Sequence, residues 1–443
     1  MTYVVKLSIF TTYMESNQLL PILDDWNLWK HPLPQGSVRS SYFQYLHKLT
    51  QTNQVVVITG PRRAGKSYLM RQWMFQNAQT GVNPAQMLMI NFEDPRLETE
   101  DPFLFETIWN TYQSHLKPPA KPFLLLDEIQ EIPQWEKWVR TFHELNKAKI
   151  ILSGSNAKLL SGELATSLTG RHLTMTVLPF SFQELAGIRL GDNPKSFDYL
   201  NLLREMMEFG GFPEVVFSEA KREILLDYFD DFIHRDLIRR YKIRKGEDLR
   251  KMAVFYATHC GSQITFNSIE KFLSINANTA ERFSGYLEDA FLFFLVQRFS
   301  HKLKERNKSP RKIYCIDMGL AGAISGRKVG DGHLAENMVF LHLLGQKTKD
   351  SLLDFFYWKN EKHQEVDFVL TQSGNPTQAI QVCWDSLRLE TRKREVTSLI
   401  LCLEALKLNE GLILTQEEEG GEKIGKHVIH FTPLWKWLLK NER

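Results

Sequence analysis

The chain has 443 residues, 43% hydrophobic and 24% charged, with a formal net charge of +3. This is ordinary for a globular protein with core for two or three domains, and so small a net charge does not by itself argue for nucleic acid. Cys260, Cys315, Cys383 and Cys402 form no C-x-x-C pair; no zinc knuckle or disulfide framework is implied, and a reducing, cytoplasmic compartment is expected.

The opening Met1–Phe10 is mildly apolar but lacks a long apolar run and a small-residue cleavage site, so no signal peptide is read there. No stretch reaches the roughly 18 apolar residues of a membrane span. Residues 1–45 read as a helical extension, with Tyr42-Phe43-Gln44-Tyr45-Leu46 packing before the first strand.

That strand is Val55-Val56-Val57-Ile58. It runs into Gly60-Pro61-Arg62-Arg63-Ala64-Gly65-Lys66-Ser67, a complete G-x-x-x-x-G-K-[ST] loop, and a helix from Tyr68. Strand, glycine loop and helix are the context that confirms a phosphate-binding motif. Backbone N–H groups of such a loop turn inward around phosphates, and the helix N-terminus adds its dipole. Gly60 through Tyr68 are therefore expected on ATP, with Lys66 on its phosphates and the Ser67 hydroxyl on Mg²⁺.

A strand at Met87–Phe92, a helix around Phe103–His115 and a Pro118-Pro119 break lead to Phe123-Leu124-Leu125-Leu126-Asp127-Glu128. An apolar strand ending in two acids is the Walker B form: Asp127 would hold Mg²⁺ through a water and Glu128 would polarise the attacking water. Paired acids can also cap a helix, but downstream of a complete loop the hydrolytic reading prevails. The next strand, Lys149–Ser153, ends in Gly154-Ser155-Asn156. Strands alternating with helices predict a parallel sheet covered on both faces, with ligands at its carboxyl edge. Ser155 or Asn156 is then a sensor of the γ-phosphate or lytic water, or a cap on the helix that follows. Arg171 ends this ATPase core (46–185). It reads either as an arginine finger, in its own site or that of a neighbour in a homo-oligomer, or as a structural ion pair.

Residues 186–248 read as a helical linker or lid; its charged helix Asp230–Tyr241 has a cationic end, either a phosphate or subunit contact or a solvated face. In 249–310, helices Ile264–Leu273 and Thr279–Asp289 flank a short turn at helix-turn-helix spacing, with Phe291–Phe299 as a wing. Glu281, Glu288 and Asp289 beside Arg282 argue for packing or a protein partner rather than DNA reading. In 311–443, Glu336 on a helix and Asp367 on a strand match a restriction-type nuclease skeleton. That chemistry needs a further E-x-K to complete the metal site and orient water. Gln381 and Cys383 stand at those positions. Gln binds Mg²⁺ poorly and Cys supplies no cation, so a vestigial site of Glu336, Asp367, Gln381 and Cys383 is expected, unless Lys359 or Lys362 supplies a shifted lysine.

Gly60–Ser67, Leu125-Leu126-Asp127-Glu128-Ile129-Gln130, Gly154–Leu160, Leu168–Arg171, Leu178–Glu184, Gly210-Gly211-Phe212-Pro213-Glu214 and Glu365–Val369 together resemble the bacterial and archaeal predicted AAA-type ATPase family with a carboxy-terminal domain of unknown function. The resemblance covers about residues 40–390. It implies an α/β protein: an additional-strand P-loop NTPase parallel sheet covered by helices, then a winged-helix segment and a small nuclease-like domain. The family ending I-E-V-K is Ile380-Gln381-Val382-Cys383 here, so the resemblance argues against nuclease activity. The expected function is Mg²⁺-dependent ATP hydrolysis that remodels a DNA-linked or protein partner; the alternative is a slow ATP-driven switch acting on proteins. An ATP-gated nuclease is disfavoured, and no membrane is expected as a partner.

Overall fold

The computed structural model describes residues 14–97, 101, 103–155, 168, 170–326, 329–386 and 388–440. The chain divides into two compact units, Met1–Gly60 with Gly65–Val177 and Pro61–Ala64 with Leu178–Arg443.

The first unit is built on β1 (Val55–Thr59), β2 (Met87–Asn91), β3 (Phe123–Asp127), β4 (Lys149–Gly154) and β5 (His172–Thr176), in the order β2-β3-β4-β1-β5. Every pairing is parallel, and β1, which carries the phosphate loop, is buried at every residue. A parallel strand is covered on both faces, which is why Val55–Ile58 reads as a continuous apolar run. Helices α1 (Ser16–Trp26), α4 (Leu104–Leu116) and α5 (Trp135–Glu144) bury Leu19, Ile108, Tyr112 and Val139 against Val55, Leu88, Leu124 and Ile150. On the other face α3 (Lys66–Gln79), which follows α2 (Ser40–Thr50) and β1 in the chain, brings Trp73 to the edge of Phe123, ring centroids 4.9 Å apart. The helical extension also covers the sheet's edge: buried Asn27 donates to Met89 O (2.8 Å) and accepts from Met89 N (2.7 Å). An edge strand's free backbone groups are thereby satisfied. The insertion of β4 between β1 and β3 is the additional-strand order expected from the resemblance.

The second unit holds two sheets. Strands β6 (Gln263–Ile264), β7 (Phe293–Val296) and β8 (Arg311–Cys315) form an antiparallel sheet in the order β6-β8-β7. Helices Gly246–Thr258, Phe266–Leu273 and Ala277–Asp289 pack on it. The expected boundary at residue 311 cuts through this sheet, because β8 is its central strand. The terminal sheet has the order β13-β14-β12-β11-β10-β9, from β9 (Leu353–Lys359), β10 (Glu365–Gln372), β11 (Asn375–Cys383), β12 (Glu410–Thr415), β13 (Gly420–Ile424) and β14 (His427–Pro433). Nor are residues 186–248 a linker. Leu203 and Met206 of the helix Ser196–Phe209 share one buried cluster with Tyr314, Phe340, Phe368 and Leu412; their apolar residues are core for the whole unit.

Candidate functional site

The parallel sheet sets the levels of the first site. In register, Leu126 lies beside Leu152, while Ile58 and Thr59 lie beside Ser153 and Gly154. The carboxyl ends of β1, β3 and β4 therefore bring Gly60, Asp127 and Ser153 together. Gly60 has φ +138°, and a Cβ there would lie 2.0 Å from Val177 O; Gly65, at φ +97°, starts α3. Only glycine satisfies both the backbone angle and the close approach at Gly60.

Lys66 is buried. Its Nζ donates to Gly60 O (3.2 Å) and lies 3.4 Å from Glu128 Oε1. Gln130 Nε2 donates to the other oxygen of Glu128 (2.6 Å). Glu128 itself has φ +50°, left-handed backbone that costs a non-glycine residue on the order of 1–3 kcal/mol and clusters at functional sites. Asp127 is fully buried. Burial, and then the neighbouring Glu128, raise its pKa to about 6 against the opposing pull of Ser153, Ser67 and Lys66. The Ser153 hydroxyl donates to Asp127 Oδ1 and accepts from the Glu128 backbone N–H (3.1 Å). Ser153 is a residue of this candidate site that sequence reasoning misses; its signal is its place beside Asp127 once β4 is inserted next to β3.

Two buried oxygens here, Asp127 Oδ2 and Ser155 Oγ, have no hydrogen-bond partner among the described residues. Buried polar atoms are nearly always paired. With a helix N-terminus, a lysine and the Ser67 hydroxyl beside Asp127, this donor set fits a magnesium–nucleotide. Ser155 is thus at the expected strand tip, whereas Asn156 lies outside the described residues. Tyr68 packs its half-exposed ring against Arg71 and beside Gly36, so what it offers phosphate is its backbone. Arg171 is a correction to the reading of a finger in its own site. It precedes β5 at the amino end of β1, where its carbonyl accepts from Val55 N (3.0 Å), and its guanidinium pairs with Glu144. That is the opposite edge of the sheet from Gly60.

Pro61–Ala64 belong with the second unit. Arg62, buried, donates through Nε and Nη2 to Asp236 at 3.0–3.2 Å, and Arg63 lies 3.6 Å from both Glu214 and Asp231. Their side chains are thus held by acids, and any contact with phosphate falls to their backbone N–H groups.

The second unit also brings Glu336, Asp367 and Gln381 together, around a residue that sequence reasoning misses. Lys312 of β8, 2% exposed, puts Nζ 2.7 Å from Glu336 Oε1, 2.7 Å from Glu365 Oε1 and 2.8 Å from Asp367 Oδ1. Tyr314 OH donates to the same Glu336 oxygen (2.5 Å), and Val382 N donates to Asp367 Oδ2 (2.9 Å). Burial, and then Asp367, push Glu336 up to about 7. Burial opposes the charge on Lys312, but the surrounding carboxylates hold its proton well above the ordinary range. Gln381 accepts from Asp367 N (3.2 Å) and donates to Glu395 (2.8 Å). Cys383 sits apart, among Val396, Leu399 and Ile413, its thiol pushed up to about 12 by burial. Lys359 stands at the rim, 3.4 Å from Glu365 and donating to Gln263 (3.1 Å), and Lys362 is exposed. The available signal is a lysine and a tyrosine two apart in the strand Arg311–Cys315, hence on one face.

Among the described residues no helix is long and apolar enough to cross a membrane. Residues 52–186 match the model of an AAA domain. Residues 200–330 and 331–437 match two domains of unknown function, DUF8612 and DUF4143. An uncharacterized protein of Methanocaldococcus jannaschii is 32% identical over 407 residues, covering 87% of this chain and 88% of its own. An uncharacterized protein of Haemophilus influenzae is 30% identical, covering 75% and 83%. Among solved structures, a Walker-type ATPase of Pyrococcus abyssi aligns with a TM-score of 0.43 at 14% identity, over 66% of this chain and 98% of its own.

Proposed function

The chain belongs to the family of these M. jannaschii and H. influenzae proteins, an AAA domain followed by two domains of unknown function, and on that premise we propose that it binds Mg²⁺-ATP and hydrolyses it to drive a change in a partner. The observation that carries this reading is the convergence of Lys66, Asp127 and Glu128 under a glycine-constrained loop, with Asp127 Oδ2 and Ser155 Oγ buried and unpaired among the described residues. Lys66 neutralises phosphate charge. Glu128 accepts the proton of the attacking water, and Ser155 orients that water or the γ-phosphate. Ser67 and Asp127 would hold the Mg²⁺, which supplies charge neutralisation at the phosphates.

One observation favours a slow, gated cycle. Glu128 is engaged by both Lys66 and Gln130, so freeing the base requires that contact to open. A DNA-linked partner is supported by the run Arg239-Arg240-Tyr241-Lys242-Ile243-Arg244-Lys245, which contains no acid and exposes Arg239, Lys242, Arg244 and Lys245. The three helices and sheet of residues 246–315 fit a winged helix, and the terminal sheet fits a nuclease-like fold without cleavage.

The test is steady-state ATP hydrolysis with and without single- and double-stranded DNA, at low and physiological salt, with Glu128→Gln as control. Turnover abolished in the control establishes the base. Stimulation by DNA that fades with salt places phosphate contacts in the cycle; turnover unchanged by DNA moves the partner to protein. Turnover by Glu128→Gln at the parent rate sinks the assignment.

A further inference from the structure

A carboxylate on a helix, two on a neighbouring strand and a buried site are what a divalent cation needs. In the second unit such a set converges on a different cation. Glu336 comes from the helix Asp331–Lys349, Glu365 and Asp367 from β10, and the point they share is occupied by Lys312 Nζ, supplied across from β8. An ammonium has three N–H donors and no acceptor, and here each donor has one carboxylate. The other oxygens of β10's two acids are also committed. Asp367 Oδ2 accepts from Val382 N, and Glu365 Oε2 accepts from Gln263 (2.5 Å) with Lys359 3.4 Å away. Lys312 is almost wholly enclosed, and Glu336 and Asp367 are buried around it. Among the described residues no group of three or more His, Cys, Asp or Glu is placed to hold a metal ion.

We infer that Lys312 is a built-in counter-cation that takes the place of a divalent metal at Glu336, Glu365 and Asp367, and that it closes this cluster to metal-dependent phosphodiester cleavage. The loss of catalysis then has a cause beyond Gln381 and Cys383. Restoring those two alone would not make a nuclease, because the focus of the carboxylates would remain filled. Removing the ammonium would leave two buried acids and the half-buried Glu365 facing one another, an unfavourable arrangement that a divalent cation relieves. The cluster is thus a latent metal site.

The inference is independent of ATP binding and is tested on the full chain without nucleotide. Mn²⁺ binding is followed by the loss of the free-ion paramagnetic signal in the parent, Lys312→Met, Asp367→Asn and the double variant. Any Mn²⁺ held at Asp127 is common to all four and cancels. Lys312→Met is expected to bind one more Mn²⁺ per chain than the parent, and Asp367→Asn in that background to remove it. The parent and Asp367→Asn are expected to bind equal amounts, with neither cutting DNA. A folded Lys312→Met that gains no Mn²⁺ overturns the latent site. If Lys312→Met does not fold, the parent decides: Mn²⁺ binding or DNA cleavage that Asp367→Asn abolishes shows that the lysine does not exclude the metal. Equality of parent and Asp367→Asn, with no cleavage, supports the exclusion.

Discussion

At the scale of single residues, the proposed site divides into groups expected to act on the nucleotide and groups that hold them in place. Lys66→Ala removes the cation beside Glu128 and Asp127 and is expected to abolish nucleotide binding or turnover. Glu128→Gln keeps the side chain's size but removes the base. Binding should survive while turnover falls about 10²–10⁴-fold, the usual worth of a positioned general base, as single-turnover hydrolysis beside a nucleotide-binding titration would show. Ser153 acts through its neighbours, tying Asp127 Oδ1 to the Glu128 backbone. Losing those two bonds costs about 1 kcal/mol each, so Ser153→Ala should lower kcat by up to roughly thirtyfold if both losses fall on the barrier, with nucleotide affinity little changed. An equal loss in Ser153→Ala and Glu128→Gln would instead make Ser153 part of the chemistry. That the loop converges with Asp127 and Glu128 is legible because a glycine loop after one parallel strand and acids at the end of another both fall at the sheet's carboxyl edge. Ser153 and Lys312 are not, because their partners lie 26 and 24–55 residues away and only strand order brings them into reach. Arg171 shows the converse: its residue type fits a finger, but its place just before β5 puts it at the end of the sheet away from its own phosphate loop.

At the scale of elements, the motif Gly210-Gly211-Phe212-Pro213-Glu214 is legible as a break without its reason. The reason is Asp317. This buried carboxylate caps the helix Met318–Ser325 through Leu320 N (2.9 Å) and accepts from Gly211 N (2.6 Å). Gly210, at φ +80°, leaves room for it; a Cβ there would lie 1.9 Å from Asp317 Oδ1. Gly210→Ala combines left-handed strain with overpacking and should destabilise by at least about 1–3 kcal/mol, read from urea unfolding. Burial raises Asp317 to about 6, against the pull of its backbone donors, from an ordinary 3.8. The folded chain therefore holds this proton more tightly than the unfolded chain does. The contribution of the group is most favourable below about pH 4 and is lost as pH rises to about 6, by about 3 kcal/mol in all, after which it is flat. Asp317→Asn cannot titrate. Its stability deficit relative to the parent should shrink by about that amount between pH 4 and pH 7 in paired urea titrations; a constant deficit would mean that Asp317 stays ionised throughout.

At the scale of the molecule, the alternation of helix, loop and strand along the sequence suggests more pieces than the structure keeps. Composition shifts and loops point to separate linker, winged-helix and terminal segments, and the matched domains meet between residues 330 and 331. The buried surface does not stop there. Phe340, 1% exposed, stacks on Tyr314 at 4.6 Å and meets Phe294 and Phe355 at 5.3 and 5.8 Å. The Lys312 cluster joins the same two segments, its lysine coming from before the boundary and its acids from after it. Neither side can open without exposing the aromatic face and unpairing the charges of the other, so residues 178–443 should unfold as one cooperative body. Native-state hydrogen exchange on the whole chain tests this. The amides of β8 and those of β10 and β11 are expected to share one opening free energy. Phe340→Ala, which should cost about 3–5 kcal/mol, should lower protection in both sheets together. Loss confined to the terminal sheet, with β8 still protected, would make the boundary at residue 330 a true folding boundary and reduce the shared core to a docked interface.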